Sequence, residues 1–259
     1  MKLYSFPNLG NTCYLNSVLQ CFINDPSFKK KLINCETSLK LLLDEIDIDF
    51  TQNDENINHR HGLIKIVDYF NKKFSRFQQH DAHEFLLEFL EQTKLNIYGQ
   101  MKTNVVCRTC RTVSSTLEDF STIDLQVGGK DLITTFMDYL KSEEIHGYHC
   151  EKCNCKTIAD KKTYLWRLNT TLIIVLKKYN LKQKLIYPFD NLKIRESVSG
   201  KVFDYQLYGI LNHYGNSQTG HYNCNIKVNN DWYFIDDETI NRIDKFDNEN
   251  SYILFYKIN

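Results

Sequence analysis

Apolar residues recur at helical spacing along the first third of the chain. Leu15, Val18, Leu19 and Phe22 fall at i, i+3, i+4 and i+7, predicting an amphipathic helix that begins just after Cys13, with Asn11 or Thr12 as its cap. Leu63, Ile66, Val67 and Phe70 repeat the pattern, as do Ala82, Phe85, Leu86, Phe89 and Leu90 after "QQHD". The polar, aperiodic stretch 51–61 reads as a surface loop. From about residue 103 the texture changes to short β-prone runs at 171–179, 203–211, 221–228, 231–235 and 251–256, which an antiparallel sheet accommodates most simply. Asn229-Asn230 predicts a tight turn between two of them, because asparagine tolerates positive φ. Helices first and strands after, with no solenoid repeat and only 3 Pro and 10 Gly, favour one continuous α+β domain over two.

Composition narrows the function classes. A chain of 259 residues that is 42% hydrophobic and 13% aromatic can bury a substantial core. Lys+Arg and Asp+Glu balance at 32 each, so no global field draws the chain to nucleic acid or to an anionic membrane. The N-terminus lacks the apolar core of a signal peptide, and the roughly 18 consecutive apolar residues of a membrane span are absent. Neither a nucleic-acid nor a membrane partner is expected, and the expected location is cytoplasm, nucleus or both. In that reducing setting nine cysteines are better read as metal ligands, catalytic thiols or buried apolar residues than as disulfides.

Cys107-x-x-Cys110 is followed by Cys150-x-x-Cys153, two knuckles that together offer four thiolates to a tetrahedral, structural Zn²⁺. His149 and Cys155 flank the second knuckle as second choices. Cys13, at the first turn of a predicted helix, feels the positive end of the helix dipole and free N–H groups, which favour the thiolate. Cys21 and Cys35 have no such surroundings and read as core or surface residues. A thiol nucleophile needs an imidazole and a group to orient it. His221 opens a predicted strand whose hairpin partner returns Asp236 or Asp237 beside it; alternation allows only one of the two to point at the ring. His213, in an expected loop, is a rival, and spacing alone does not choose.

"PNLGNTCYLNSVLQCF" at 7–22, "QQHDAHEFL" at 78–86, the two knuckles, "GHYNCNIKVNNDWYFIDDETI" at 220–240 and the terminal "SYILFY" resemble the ubiquitin-specific protease family of papain-like deubiquitinating enzymes. The resemblance spans nearly the whole chain in the family's order. It implies a papain-like cysteine peptidase fold likened to a hand: a helical thumb over about 1–100, zinc-bearing fingers over about 101–165 and an antiparallel β palm over about 166–259. It implies Cys13 as nucleophile, His221 as general base, Asp236 as its orienter, Asn8 as a donor to the oxyanion and Asp237 as a neighbouring support. Asp81 and Glu84 match positions that contact the ubiquitin tail, although Asp81-x-x-Glu84 before an apolar run is also a helix-capping signature. The implied partners are ubiquitin and ubiquitin-conjugated proteins. The chain departs from the family at Ser5-Phe6, where Gly-Leu is usual, at Ile235, usually Phe, and at Asn225, usually aromatic. The rival readings are a catalytically silent ubiquitin-binding module and a peptidase for a ubiquitin-like modifier.

Overall fold

The computed structural model describes residues 3, 5–25, 28, 60–178, 184–216, 219–246 and 248–258, with backbone only at 60 and 61. Its helices are α1 (Cys13–Ile23), α2 (Arg60–Phe70), α3 (Ala82–Thr93) and α4 (Leu132–Tyr139). Its strands are β1 (Gly99–Cys107), β2 (Val113–Phe120), β3 (Ile123–Gln126), β4 (Glu143–Cys150), β5 (Cys155–Arg167), β6 (Thr171–Lys177), β7 (Leu192–Arg195), β8 (Val202–Gly215), β9 (Gly220–Val228), β10 (Asp231–Asp236), β11 (Thr239–Ile243) and β12 (Ser251–Ile258). The three predicted helices and the cores of the five predicted strand runs are all present. Cys35 and most of the expected loop, 51–59, lie outside the described residues, and residues 60 and 61 open α2 instead of closing that loop. None of the helices among the described residues is long and apolar enough to cross a membrane.

Two compact units emerge, each assembled from separate stretches of chain: one from 1–96, 179–184 and 207–255, the other from 97–178, 185–206 and 256–259. In the first unit the apolar stripe of α1 is fully spent. Leu15, Val18, Leu19 and Phe22 are each at most 1% exposed. Phe22 meets Phe28, Phe89 and Phe255 at ring separations of 4.7, 5.2 and 5.8 Å, and Phe85 is edge-on to Tyr14, Phe70 and Phe74. This aromatic cluster joins α1, α2 and α3 because edge-to-face packing lets large rings fill the space between helices without voids. Strands β11, β10, β9, β8 and β12 lie side by side in that order. The β9–β10 hairpin turns at Asn229 and Asn230, whose φ values of 51° and 74° belong to the mirror-image turn that matches strand twist.

Thr12 does occupy the N-cap of α1, but its side chain makes no cap. Its hydroxyl accepts from Leu9 N–H at 2.9 Å, because the chain doubles back at Gly10. Gly10 has φ +132°, and a Cβ there would lie 2.5 Å from the Arg76 carbonyl oxygen. The first N–H groups of α1 are therefore left free of a side-chain cap.

In the second unit β2, β1, β5 and β4 form an antiparallel sheet, and β3 runs parallel to β6 with Ile123 opposite Ile174. The purely antiparallel expectation is corrected at that pair: the chain between β3 and β6 is long enough for the crossover a parallel pair requires. β1, β2, β4, β5 and α4 were not individually predicted. β2 is exposed along nearly its whole length, so it buries no alternating face for a pattern to reveal.

Truncating the centre of the aromatic cluster, Phe89→Ala, is expected to cost about 3–5 kcal/mol. Urea unfolding followed by near-UV circular dichroism checks this; a loss under about 1 kcal/mol, the scale of a tolerated volume-conserving swap, contradicts the packing described.

Candidate active site

The turn before α1 is built by Asn8. Its Oδ1 accepts the Thr12 N–H at 3.1 Å and its Nδ2 donates to Asp237 Oδ2 at 3.0 Å, so both ends of the amide are oriented. Cys13 follows at the helix start, 5% exposed. All eleven residues of α1 are buried, so packing on every side fixes the helix's rotation and with it the direction of this thiol.

β9 and β10 carry the facing groups. His221 Nε2 lies 2.5 Å from Asp236 Oδ1, which leaves the other ring nitrogen for the Cys13 thiol. His221 is pushed up to about 9, first by its hydrogen bond with Cys13 and then by Asp236, against the opposing effect of burial. A thiol, an imidazole and a carboxylate in this chain of contacts can pass a proton from sulfur to nitrogen and hold the resulting ion pair.

The adjacent carboxylates take different partners. Asp236 ends β10 and bonds the ring, whereas Asp237 adopts φ 49° beyond the strand; the turn keeps its carboxylate within 4.8 Å of the His221 and Asp236 ligand atoms, so strand alternation does not separate the two acids, and only their hydrogen-bond partners differ. Asp237 Oδ1 accepts from Asn16 Nδ2 at 2.8 Å, Oδ2 accepts from Asn8, and its carbonyl accepts Phe6 N–H at 3.1 Å. Burial pushes its carboxyl above the usual range while the two amides pull it back. His213 sits on β8 and not in the expected loop; its ring stacks on Tyr222 at 4.5 Å, and burial lowers its proton affinity.

Asp81 is the N-cap of α3, accepting from His83 N–H at 2.7 Å and Glu84 N–H at 3.3 Å. Both its oxygens also accept from the Tyr252 hydroxyl, at 3.0 and 2.9 Å. Glu84 is exposed. Three residues here escaped sequence reasoning: Asn16, Tyr252 and Gln79, which bonds the backbone of Gly220. Asn16 did leave a signal, a polar residue one helical turn after Cys13.

In the second unit the four cysteines of the knuckles converge. All four Sγ atoms lie within 4.8 Å of one another, with Cys107–Cys153 at 4.0 Å and Cys110–Cys150 at 3.6 Å. A tetrahedron of sulfurs about 2.3 Å from a central ion has edges of about 3.8 Å, so the cluster has the dimensions of a four-thiolate metal site. Both knuckles use one backbone device. Arg111 (φ 61°) and Asn154 (φ 51°) directly follow the second cysteine of each, and their N–H groups return to the carbonyls of Cys107 and Cys150 at 2.9 and 2.8 Å. The Thr157 hydroxyl, with turn N–H groups, pulls Cys107 down to about 6, while Cys153, donating to Cys110, is held up at about 12. Four sulfurs this close cannot all ionise without a cation among them. Cys155 is exposed outside the cluster.

These features match known proteins along the whole chain. The family model of ubiquitin carboxyl-terminal hydrolase matches residues 5–256, and the chain belongs to that family. It is 30% identical to ubiquitin carboxyl-terminal hydrolase 17-like protein E of Mus musculus, over 96% of this chain and 54% of that protein. It is 26% identical to ubiquitin carboxyl-terminal hydrolase 42 of Homo sapiens, over 96% of this chain and 22% of that one. The chain thus spans about half, or less, of the length of these relatives. Among solved structures, the SAGA Ubp8/Sgf11/Sus1/Sgf73 DUB module bound to ubiquitin aldehyde contains a chain that matches with TM-score 0.87 and 24% identity, over 99% of this chain and 70% of its own. A variant of the same module bound to monoubiquitin also gives 0.87, with 24% identity over 99% of this chain and 69% of its own. The likeness establishes the fold, the α+β catalytic-domain fold of this family.

Because the folded state holds the His221 proton more tightly than the unfolded state, this group adds stability that is complete below about pH 6.5, the unperturbed histidine value, and is lost as pH rises through about 9. Titration of the His221 ring by NMR is expected to give a midpoint near 9, moving down toward the ordinary value in Cys13→Ala, which removes the largest cause of the shift. An unchanged midpoint in that variant would show that the thiol does not touch the ring.

Proposed function

We propose that this chain is a thiol-dependent deubiquitinating peptidase, hydrolysing the peptide or isopeptide bond after the C-terminal glycine of ubiquitin on ubiquitin-conjugated proteins. The observation that carries the reading is His221 bonded to Asp236, with the Cys13 thiol near enough to raise the ring's proton affinity, in a chain of this family. His221 takes the Cys13 proton, and the thiolate sulfur attacks the glycine carbonyl carbon, forming a C–S bond and placing negative charge on oxygen. Asn8 donates its remaining Nδ2–H to that oxyanion, together with N–H groups at the start of α1. The imidazolium then protonates the departing amine as the C–N bond breaks. Water, deprotonated by His221, attacks the thioester, the C–S bond breaks, and the glycine carboxylate leaves with Cys13 restored. Asp236 holds the ring and stabilises its cationic form; Asp237 supports the site by holding Asn8.

In this reading the fold is a papain-like hand, with α1–α3 as the thumb, the β9–β11 region in the palm and the four-stranded sheet of the second unit as fingers. The dimensions and chemistry of the sulfur cluster support Zn²⁺ held by Cys107, Cys110, Cys150 and Cys153. The ion would stiffen the fingers and add folding energy. Glu84, exposed, and Asp81, whose carboxylate already serves α3 and Tyr252, are the proposed contacts to the ubiquitin tail.

Ubiquitin bearing a C-terminal electrophile is expected to form a covalent adduct with wild type and none with Cys13→Ala. No adduct with wild type, or one that survives the substitution, would sink the catalytic assignment; an adduct only with probes built on ubiquitin-like proteins would reassign the substrate. For the metal, one zinc per chain after dialysis and a lowered melting temperature on chelation are expected, and well-folded protein with substoichiometric zinc speaks against the site.

A further inference from the structure

A loop leading into α3 bonds the backbone close to both Cys13 and His221. At one end the Arg76 carbonyl accepts the Asn11 N–H at 2.8 Å, gripping the turn that delivers Cys13. At the other, Gln79 Oε1 accepts the Gly220 N–H at 2.9 Å and Gln79 Nε2 donates to the Gly220 carbonyl at 3.0 Å. Gly220 immediately precedes His221. Between those ends the loop is stiff: Gln78 N–H bonds the Ser75 carbonyl at 3.0 Å, a His80 ring nitrogen lies 3.2 Å from that same oxygen, and Phe74 and His80 both pack on Tyr14 of α1.

The two Gln79 bonds have the geometry of a strand neighbour. Gly220 is paired with Gly215 of β8, so its outward N–H and C=O form the open edge at the start of β9. A primary amide presents one acceptor and one donor, and Gln79 meets that edge with both. Gly220 itself has no freedom to be replaced, because a Cβ there would lie 2.2 Å from His213 Nε2 and 2.6 Å from the Tyr214 carbonyl oxygen. A glycine edge without a side chain to anchor it is held from outside by the amide.

We infer that Gln79 is a positioning residue: it locks the Gly220 peptide and thereby sets where His221 stands relative to Cys13, with the 74–80 loop as the spacer between them. This inference rests on the peptidase reading for its effect on turnover, but the Cys13–His221 distance it controls exists without any substrate. Gln79 is exposed and its removal empties no core, so the expected effect is on geometry and not on folding. Misplacing a reacting group by about 1 Å costs on the order of 100-fold in rate.

The test compares wild type, Gln79→Ala, Gln79→Glu and, as a control that keeps every backbone bond of the loop and alters an exposed side chain, Gln78→Ala. Turnover of a ubiquitin C-terminal fluorogenic amide is measured with melting temperatures and with the pH profile of Cys13 alkylation by iodoacetamide, followed at the Cys13 peptide by mass spectrometry. Gln79→Ala is expected to lower kcat by roughly 10- to 100-fold with KM little changed. It also shifts the Cys13 alkylation profile to higher pH as the imidazolium partner is lost, while the melting temperature stays at the wild-type value. Gln79→Glu, which keeps the acceptor but sets a carboxylate against the Gly220 carbonyl, falls between, and Gln78→Ala matches wild type. A wild-type alkylation profile in Gln79→Ala overturns the inference, as does a loss confined to KM, which would make Gln79 a substrate contact. Failure of wild type to react with the ubiquitin electrophile would overturn the peptidase reading instead, and the alkylation profile would still judge Gln79 without ubiquitin present.

Discussion

The half-buried carboxylate of Asp237 governs the geometry of the first unit's chemistry. Removing a carboxylate from water is costly unless polar hydrogens replace the solvent, and here they come from the amides of Asn8 and Asn16, with the Asp237 carbonyl taking the Phe6 N–H as well. Those donors belong to the turn before α1 and to the helix itself. Satisfying one carboxylate therefore joins the N-terminal turn, the cysteine helix and the end of β10. Asp236, one residue earlier, bonds His221 from the same cluster.

Packing and chemistry occupy different faces of the same helix. Leu15, Val18, Leu19 and Phe22 are spent on burial, whereas Cys13 and Asn16, three positions apart, point toward the polar cluster. The packed helix thus aims a thiol that is itself buried. Leaving the helix uncapped at Thr12 fits the same division, since a capping hydroxyl would occupy N–H groups at the very place where negative charge can be held.

The second unit solves a different problem. Its four-stranded sheet is exposed over much of its surface, and β2 buries almost nothing. A sheet with little apolar area to bury gains order from its ends, where the paired knuckles bring four sulfurs to the spacing of a metal tetrahedron. The long β5 links that cluster to the rest of the sheet, pairing with β1 along one side and β4 along the other.

The elements with a one-sided pattern were legible from the amino acids: the helices of the first unit, the β9–β10 hairpin with its two asparagines, and the repeated cysteine spacing. A burial period or a special backbone demand is written locally, so a linear reading recovers it. Strands exposed on both faces carry no period, and the parallel β3–β6 pair depends on a crossover that no local window contains. Cys13, His221 and Asp236 were marked as candidates by residue type, helix start and hairpin, but neither the choice of Asp236 over Asp237 at the ring nor the position of His213 followed from strand alternation alone. Those were decided by partners in space: Asp236 bonds the ring while Asp237, within 4.8 Å of it, is held by Asn8 and Asn16, and His213 lies on β8 against Tyr222. Asn16, Tyr252 and Gln79 gained their roles only when distant segments met, because a hydrogen bond between residues 79 and 220 has no trace in the spacing of either. The chain by itself determined which groups were available and how each helix and hairpin would form; the tertiary structure decided which of those groups face one another, since directional bonds require positions in space that a sequence period does not encode.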